Sequence, residues 1–171
     1  MFSIKAMELI LEGFRRIGED GPDARFGYLE EFSIASTYAG IAFLKAGCAT
    51  VHGMSFPLGG TYHVPHGESN YALFGKILEI YDEMNPNGEI MRFKEMIARI
   101  TGCEVDNAIP YLNELLEKVL HLKPLREYGF KEEDIKAFAE SVEANQQRLI
   151  TNSYIQPWTK ELSERVYREC F

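Results

Sequence analysis

The chain has 171 residues, of which 46% are apolar and 26% charged, and its 26 acidic and 18 basic residues give a formal net charge of −8. These values are typical of one globular domain with a real hydrophobic core, and they exclude disordered, collagen-like and disulfide-scaffold chains. Nucleic acids and anionic membranes both require a concentrated basic face. The sequence has no such face, so we expect neither partner.

Three cysteines, Cys48, Cys103 and Cys170, stand far apart, and none belongs to a Cys-x-x-Cys pair. This spacing excludes a zinc ribbon and a thioredoxin-like redox motif. The first 18 residues alternate between apolar and charged and lack the pattern of a signal peptide. The longest weakly polar stretch, residues 35–51, contains Lys45 and is too short to span a bilayer. We therefore expect a cytoplasmic protein.

Apolar residues recur at helical spacing through most of the chain, which predicts an all-α helical bundle of about seven or eight helices. The first helix covers about residues 4–18 and stops before the Gly21-Pro22 pair. A second helix covers residues 23–46 and ends at Gly47. Small and apolar side chains form a stripe in its second half, so we expect this helix to be buried.

Residues 48–66 interrupt the helical pattern with several prolines and glycines, and they predict a loop. A third long helix follows over residues 66–84, and a turn over residues 85–88 ends it. Further helices are predicted near residues 89–101, 106–121, 131–151 and 158–169. The chain has no strand pattern, no repeat of fixed period and no glycine-rich phosphate loop.

Three of the four histidines, His52, His63 and His66, fall within fifteen residues of the predicted loop. Neutral imidazole is the commonest protein ligand of first-row transition metals. Two imidazoles cannot complete a tetrahedral site, and the spacing of fourteen between His52 and His66 matches no compact local chelate. Spacing alone therefore leaves two readings open, a metal site or histidines that cap helices and bond to the backbone.

Residues 52–60 (HGMSFPLGG), followed by residues 65–67 (PHG) and Asn70, resemble the second signature of the iron-containing (group III) alcohol dehydrogenases. Residues 35–47 resemble the helix that leads into the metal site of that family. The resemblance implies an all-α domain like that of dehydroquinate synthase. It also implies that His52 and His66 bind a divalent metal, Fe²⁺ or Zn²⁺.

Phe56 occupies a position where the family commonly has a histidine that lines the substrate pocket. With residues 61–68, it makes the chain similar to the branch that includes 4-hydroxybutyrate dehydrogenase. That branch implies an alcohol or aldehyde substrate, here 4-hydroxybutyrate and succinate semialdehyde, and NAD(P) as the hydride carrier. In that reading Phe56 and Tyr62 line the pocket. His63 is either a proton relay and hydrogen-bond donor to the substrate or an exposed loop histidine. The cations that could bind a substrate carboxylate are Arg25, Lys45, Lys76 and Arg92.

Family members are about twice this length, and their first half supplies the turn that binds the nucleotide and two further metal ligands. We therefore expect residues 1–171 to form a single helical metal- and substrate-binding domain that is inactive without an N-terminal nucleotide-binding domain. Self-association into a homo-oligomer stays open, because a domain without its partner exposes apolar surface. Two alternatives remain, a zinc-dependent glycerol dehydrogenase-like domain and a non-catalytic helical interaction module.

Overall fold

The computed structural model describes all 171 residues, and it contains helices but no strand. This confirms the predicted all-α class. The nine α-helices are α1 (Phe2–Asp20), α2 (Leu29–Ala46), α3 (Thr50–Tyr62), α4 (His66–Met84), α5 (Glu89–Thr101), α6 (Ala108–Val119), α7 (Asp134–Asn145), α8 (Gln147–Ile150) and α9 (Lys160–Glu169). Three short 3₁₀-helices cover Pro22–Tyr28, Val105–Asn107 and Leu125–Tyr128.

Helix α4 agrees best with its sequence pattern, because it begins at His66 and ends at Met84 as predicted. Leu73, Ile77 and Tyr81, which share one face at helical spacing, are all buried. Two other predicted helices divide in the structure. Residues 23–46 form a 3₁₀-helix and then α2, and residues 131–151 contain both α7 and α8.

The predicted loop over residues 48–66 is wrong, because most of this segment is helix α3. Met54 and Leu58, four residues apart, are buried on one face of it. A Cβ atom at Gly53 would lie only 3.4 Å from the Cβ atom of Leu149 in α8, so the glycine lets α8 approach closely. Pro57 removes one backbone donor from the helix. Tertiary packing therefore outweighs the local signals for a loop.

The expected burial of α2 is also wrong, because Ala35 is the one buried residue of this helix. Phe32 packs towards α1, whereas Leu44 is 81% exposed. An apolar stripe predicts a buried face only where another element covers it, and α1 covers a different side of α2. No single helix of the chain is long and apolar enough to cross a membrane. Pro22–Ala46 and Thr50–Tyr62 reach the required length and composition only when counted together.

The chain divides into two compact units. Unit 1 contains Met1–Gly47 and Met91–His121, and unit 2 contains Cys48–Ile90 and Leu122–Phe171. In unit 1, α1 packs against α2 and α6. In unit 2, α3 packs against α4, α7 and α8, while α9 packs against α4 and α7. Unit 2 holds the three clustered histidines.

The contact between α1 and α2 makes a testable prediction about two helical glycines. A Cβ atom at Gly13 would lie 2.5 Å from the ring of Phe32, which Phe14 and Tyr28 hold in place, whereas Gly40 has nothing within 4 Å. Gly13→Ala should lower the free energy of unfolding by about 1–3 kcal/mol through overpacking. Gly40→Ala should raise it by about 0.5–1 kcal/mol through helix propensity. Urea denaturation measures both, and a shift of the same sign in the two variants would contradict the packing described.

Candidate metal centre

His52 and His66 lie next to each other where the first turns of α3 and α4 meet. His52 is the third residue of α3 and His66 is the first residue of α4. Their ring centroids are 5.1 Å apart and the ring planes are inclined by 55°. The packing of α3 against α4 therefore brings together the two histidines whose spacing of fourteen matched no local chelate.

The environment of His52 keeps its imidazole neutral. Burial lowers the pKa of His52, and the neighbouring His66 imidazole lowers that pKa further, because a second positive charge beside it would be unfavourable. A transition metal binds the neutral form of histidine through a nitrogen lone pair. The shift in pKa therefore favours the protonation state that a metal ligand needs.

Two adjacent neutral imidazoles fit part of the ligand set of a divalent transition metal. Zinc and ferrous ions accept imidazole nitrogen, and a zinc site has four ligands, or three protein ligands and an open position. No group of three or more histidine, cysteine, aspartate or glutamate side chains is placed to hold a metal ion. The pair therefore fits a metal whose coordination is completed by groups outside this cluster.

Phe56 provides an apolar surface beside the pair. It lies one turn after His52 on α3, and its ring is inclined by only 21° to that of His66, with centroids 6.2 Å apart. Its side chain is nevertheless 46% exposed. An aromatic ring stacked on a candidate ligand and still open to solvent can contact the apolar part of a small molecule bound at the pair.

The two other residues predicted for this site lie at the end of α3. The ring of Tyr62 contacts Phe130 and Phe138, and its hydroxyl donates a hydrogen bond to the carboxylate of Asp134. Burial is the main reason for the raised pKa of Tyr62, and the Asp134 carboxylate adds to it. His63 ends α3 in the left-handed conformation, with φ of 54°, and its side chain is exposed.

The four cations suggested for a substrate carboxylate are spread over the chain. Arg25, Lys45 and Arg92 belong to unit 1, whereas Lys76 belongs to unit 2 with the histidine pair. Lys76 pairs with Glu79 at 2.5 Å and with Glu169 at 3.3 Å. It lies ten residues after His66 on α4, which is about 15 Å along the helix axis. The structure therefore does not bring any of the four to the pair through α4.

Two contacts of α4 near His66 were not foreseen from the sequence. Asn70, one turn further on, places its Nδ2 atom 3.1 Å from Nε2 of His66. Glu68 accepts a hydrogen bond of 3.1 Å from the hydroxyl of Tyr128 and lies 3.9 Å from the ammonium of Lys123. Burial, and then this carboxylate, raise the pKa of Tyr128 to about 12. Spacing of four residues on a helix could have indicated the Asn70 contact, but no local signal indicated Tyr128.

Comparisons with known proteins agree with this geometry. The model of the Fe-containing alcohol dehydrogenase family, C-terminal, matches residues 1–170. The 4-hydroxybutyrate dehydrogenase of Clostridium kluyveri is 49% identical over all 171 residues, which cover 46% of that protein. The lactaldehyde reductase of Escherichia coli is 32% identical over 81% of the chain and 36% of its own length. The chain thus spans less than half the length of these relatives.

Solved structures show the same fold. An archaeal halo-thermophilic alcohol dehydrogenase from a Red Sea brine pool superimposes with a TM-score of 0.84 at 25% identity, covering 99% of this chain and 44% of the other. A 1,3-propanediol oxidoreductase superimposes with a TM-score of 0.81 at 24% identity, covering 98% and 44%. The chain therefore belongs to the iron-containing alcohol dehydrogenase family, in which it corresponds to the C-terminal helical domain.

Proposed function

We propose that this chain is the metal- and substrate-binding part of an NAD(P)-dependent alcohol dehydrogenase that interconverts 4-hydroxybutyrate and succinate semialdehyde. The observation that carries this function is the pair of adjacent imidazoles, His52 and His66, with ring centroids 5.1 Å apart. The substrate follows from the relative of that activity, which is 49% identical over the whole chain.

His52 and His66 would hold the divalent metal, Fe²⁺ or Zn²⁺. A metal there supplies Lewis acidity towards an alcohol or carbonyl oxygen, and a nicotinamide supplies the hydride chemistry. The lowered pKa of His52 keeps its lone pair available near neutral pH. His63 lies three residues before His66 in the exposed turn, where its imidazole would exchange a proton with solvent.

Phe56 supports a substrate with an apolar segment. The substrate 4-hydroxybutyrate carries three methylene groups between its carboxylate and its hydroxyl oxygen. The exposed part of the Phe56 ring, stacked beside His66, offers such a segment an apolar contact and excludes water from that side of the pair. Tyr62, held by Phe130 and Phe138, would extend this apolar wall with a ring of fixed orientation.

A nucleotide-binding domain is the partner that this function requires. The two imidazoles leave the metal coordination incomplete, and no further cluster of metal-binding side chains is available to complete it. We assign residues 1–171 to one metal- and substrate-binding domain and the remaining ligands and nucleotide binding to that partner, as in the relatives of twice this length. The chain alone should therefore not turn over substrate.

Reconstitution tests the proposed function. The chain is mixed with the nucleotide-binding half of a 4-hydroxybutyrate dehydrogenase, NAD⁺ and Fe²⁺ or Zn²⁺, and NADH formation is followed by absorbance. We expect turnover with 4-hydroxybutyrate to exceed that with glycerol or 1,3-propanediol by at least about tenfold, the discrimination that one apolar contact provides. Neither half should be active alone. Preference for glycerol would favour the glycerol dehydrogenase-like alternative, and absence of turnover from a formed complex would contradict the proposal.

A further inference from the structure

Asn70 is an unusual residue for the interior of α4. Its Nδ2 atom lies 3.1 Å from Nε2 of His66, whereas its Oδ1 atom is shielded from solvent and has no hydrogen-bond partner. A buried acceptor without a partner costs about 1–3 kcal/mol. Asparagine is also a poorer helix former than alanine, by about 0.5 kcal/mol. Stability alone therefore does not explain an asparagine here.

The hydrogen bond supplies an orientation that the other contacts of His66 leave free. Phe56 stacks on the imidazole and restricts the plane of the ring, but a stacked ring can still turn within its own plane. A polar contact to one ring nitrogen fixes that remaining angle. Since His66 is exposed and opens α4, few other atoms surround it. Asn70 thus decides in which direction the nitrogen atoms of His66 point relative to His52.

We propose that Asn70 is the positioning residue of His66, and that it holds the imidazole ready for the metal at the expense of helix stability. This assignment rests on the proposed function, in which His52 and His66 bind the metal. Hydrogen-bonding partners of metal-binding histidines typically change metal affinity by about 10–100-fold when they are removed. Asn70 is placed to have an effect of that size without touching the metal.

Titration of the 171-residue chain with Co²⁺ and Zn²⁺ tests the role of Asn70. We expect Asn70→Ala and Asn70→Leu to weaken binding by about 10–100-fold, with the melting temperature unchanged or raised because the unpaired acceptor is gone. The two replacements differ in volume, so a shared effect reports the lost hydrogen bond. Asn113→Ala, which also removes an asparagine from inside a helix, should leave the affinity unchanged.

The possible results separate the role of Asn70 from the proposed metal site. Unchanged affinity in both Asn70 variants, with binding lost in His66→Ala, overturns the role of Asn70 and leaves the metal site intact. An affinity that falls only together with the melting temperature indicates a structural residue and overturns it as well. Absence of binding by the unmodified chain overturns both the metal site and the role of Asn70.

Discussion

His52→Ala and His66→Ala are each expected to weaken Co²⁺ or Zn²⁺ binding by more than about 100-fold, beyond the range typical of a residue that only supports a ligand. Either change also removes turnover from the reconstituted enzyme. The reason is that each variant leaves a single imidazole, and no nearby cluster of metal-binding side chains replaces the lost one. Isothermal titration of the chain measures the affinity, and NADH formation measures turnover.

The fold should survive these histidine changes, because neither side chain belongs to the buried core. His121→Ala is the matched control. His121 is exposed in unit 1, and its Nδ1 atom pairs with Glu117 at 2.5 Å. Its replacement should change neither metal affinity nor turnover. Retained affinity in both His52→Ala and His66→Ala would place the metal elsewhere and would leave the non-catalytic interaction module as the better description.

Tyr167→Ala should lower the free energy of unfolding by about 3–5 kcal/mol, the range for removing a large buried aromatic side chain. Tyr167 lies in α9 and has no exposed surface. Its ring lies against Phe130 and Phe138, with centroids 5.7 and 6.0 Å away. Its hydroxyl donates a hydrogen bond of 2.6 Å to the carbonyl oxygen of Met54 in α3. Burial accordingly raises the pKa of this phenol.

Two further variants separate the parts of this effect. Tyr167→Phe keeps the ring and removes only the hydrogen bond, so it should cost about 0.5–1.5 kcal/mol. Phe26→Ala removes an exposed aromatic side chain and should stay within about 0.5 kcal/mol of the unmodified chain. Urea denaturation followed by circular dichroism measures all three. An equal loss for Tyr167→Ala and Phe26→Ala would contradict the burial of Tyr167.

The sequence predicted those parts of the fold that depend on local spacing. Helix α4 is such a case, because Leu73 and Ile77 recur at helical spacing and the face they form is buried. Helix α3 is not, because its signals at Pro57 are local whereas the packing that stabilises it comes from α8, far along the chain. The exposure of α2 was missed for a related reason. An apolar stripe records composition and does not specify which element covers it.

The candidate site was predicted in the same uneven way. His52 and His66 were identified by resemblance, but their contact depends on how α3 packs against α4, which no spacing encodes. The contact of Asn70 was within reach, because it needs only the start of α4 and a separation of four residues. The link between Glu68 and Tyr128 joins positions sixty residues apart, so only the folded chain reveals it.

The exposed apolar side of α2 makes the colloidal behaviour of the chain depend on salt. Phe43 and Leu44 face outward on a molecule whose net charge is −8. Repulsion between like-charged molecules keeps such faces apart, but its range shrinks from about 30 Å at 0.01 M ionic strength to about 8 Å at 0.15 M. Acid weakens it too, because protonated carboxylates no longer contribute charge. Dilute buffer near neutral pH is therefore the condition under which this helix stays separated from its copies.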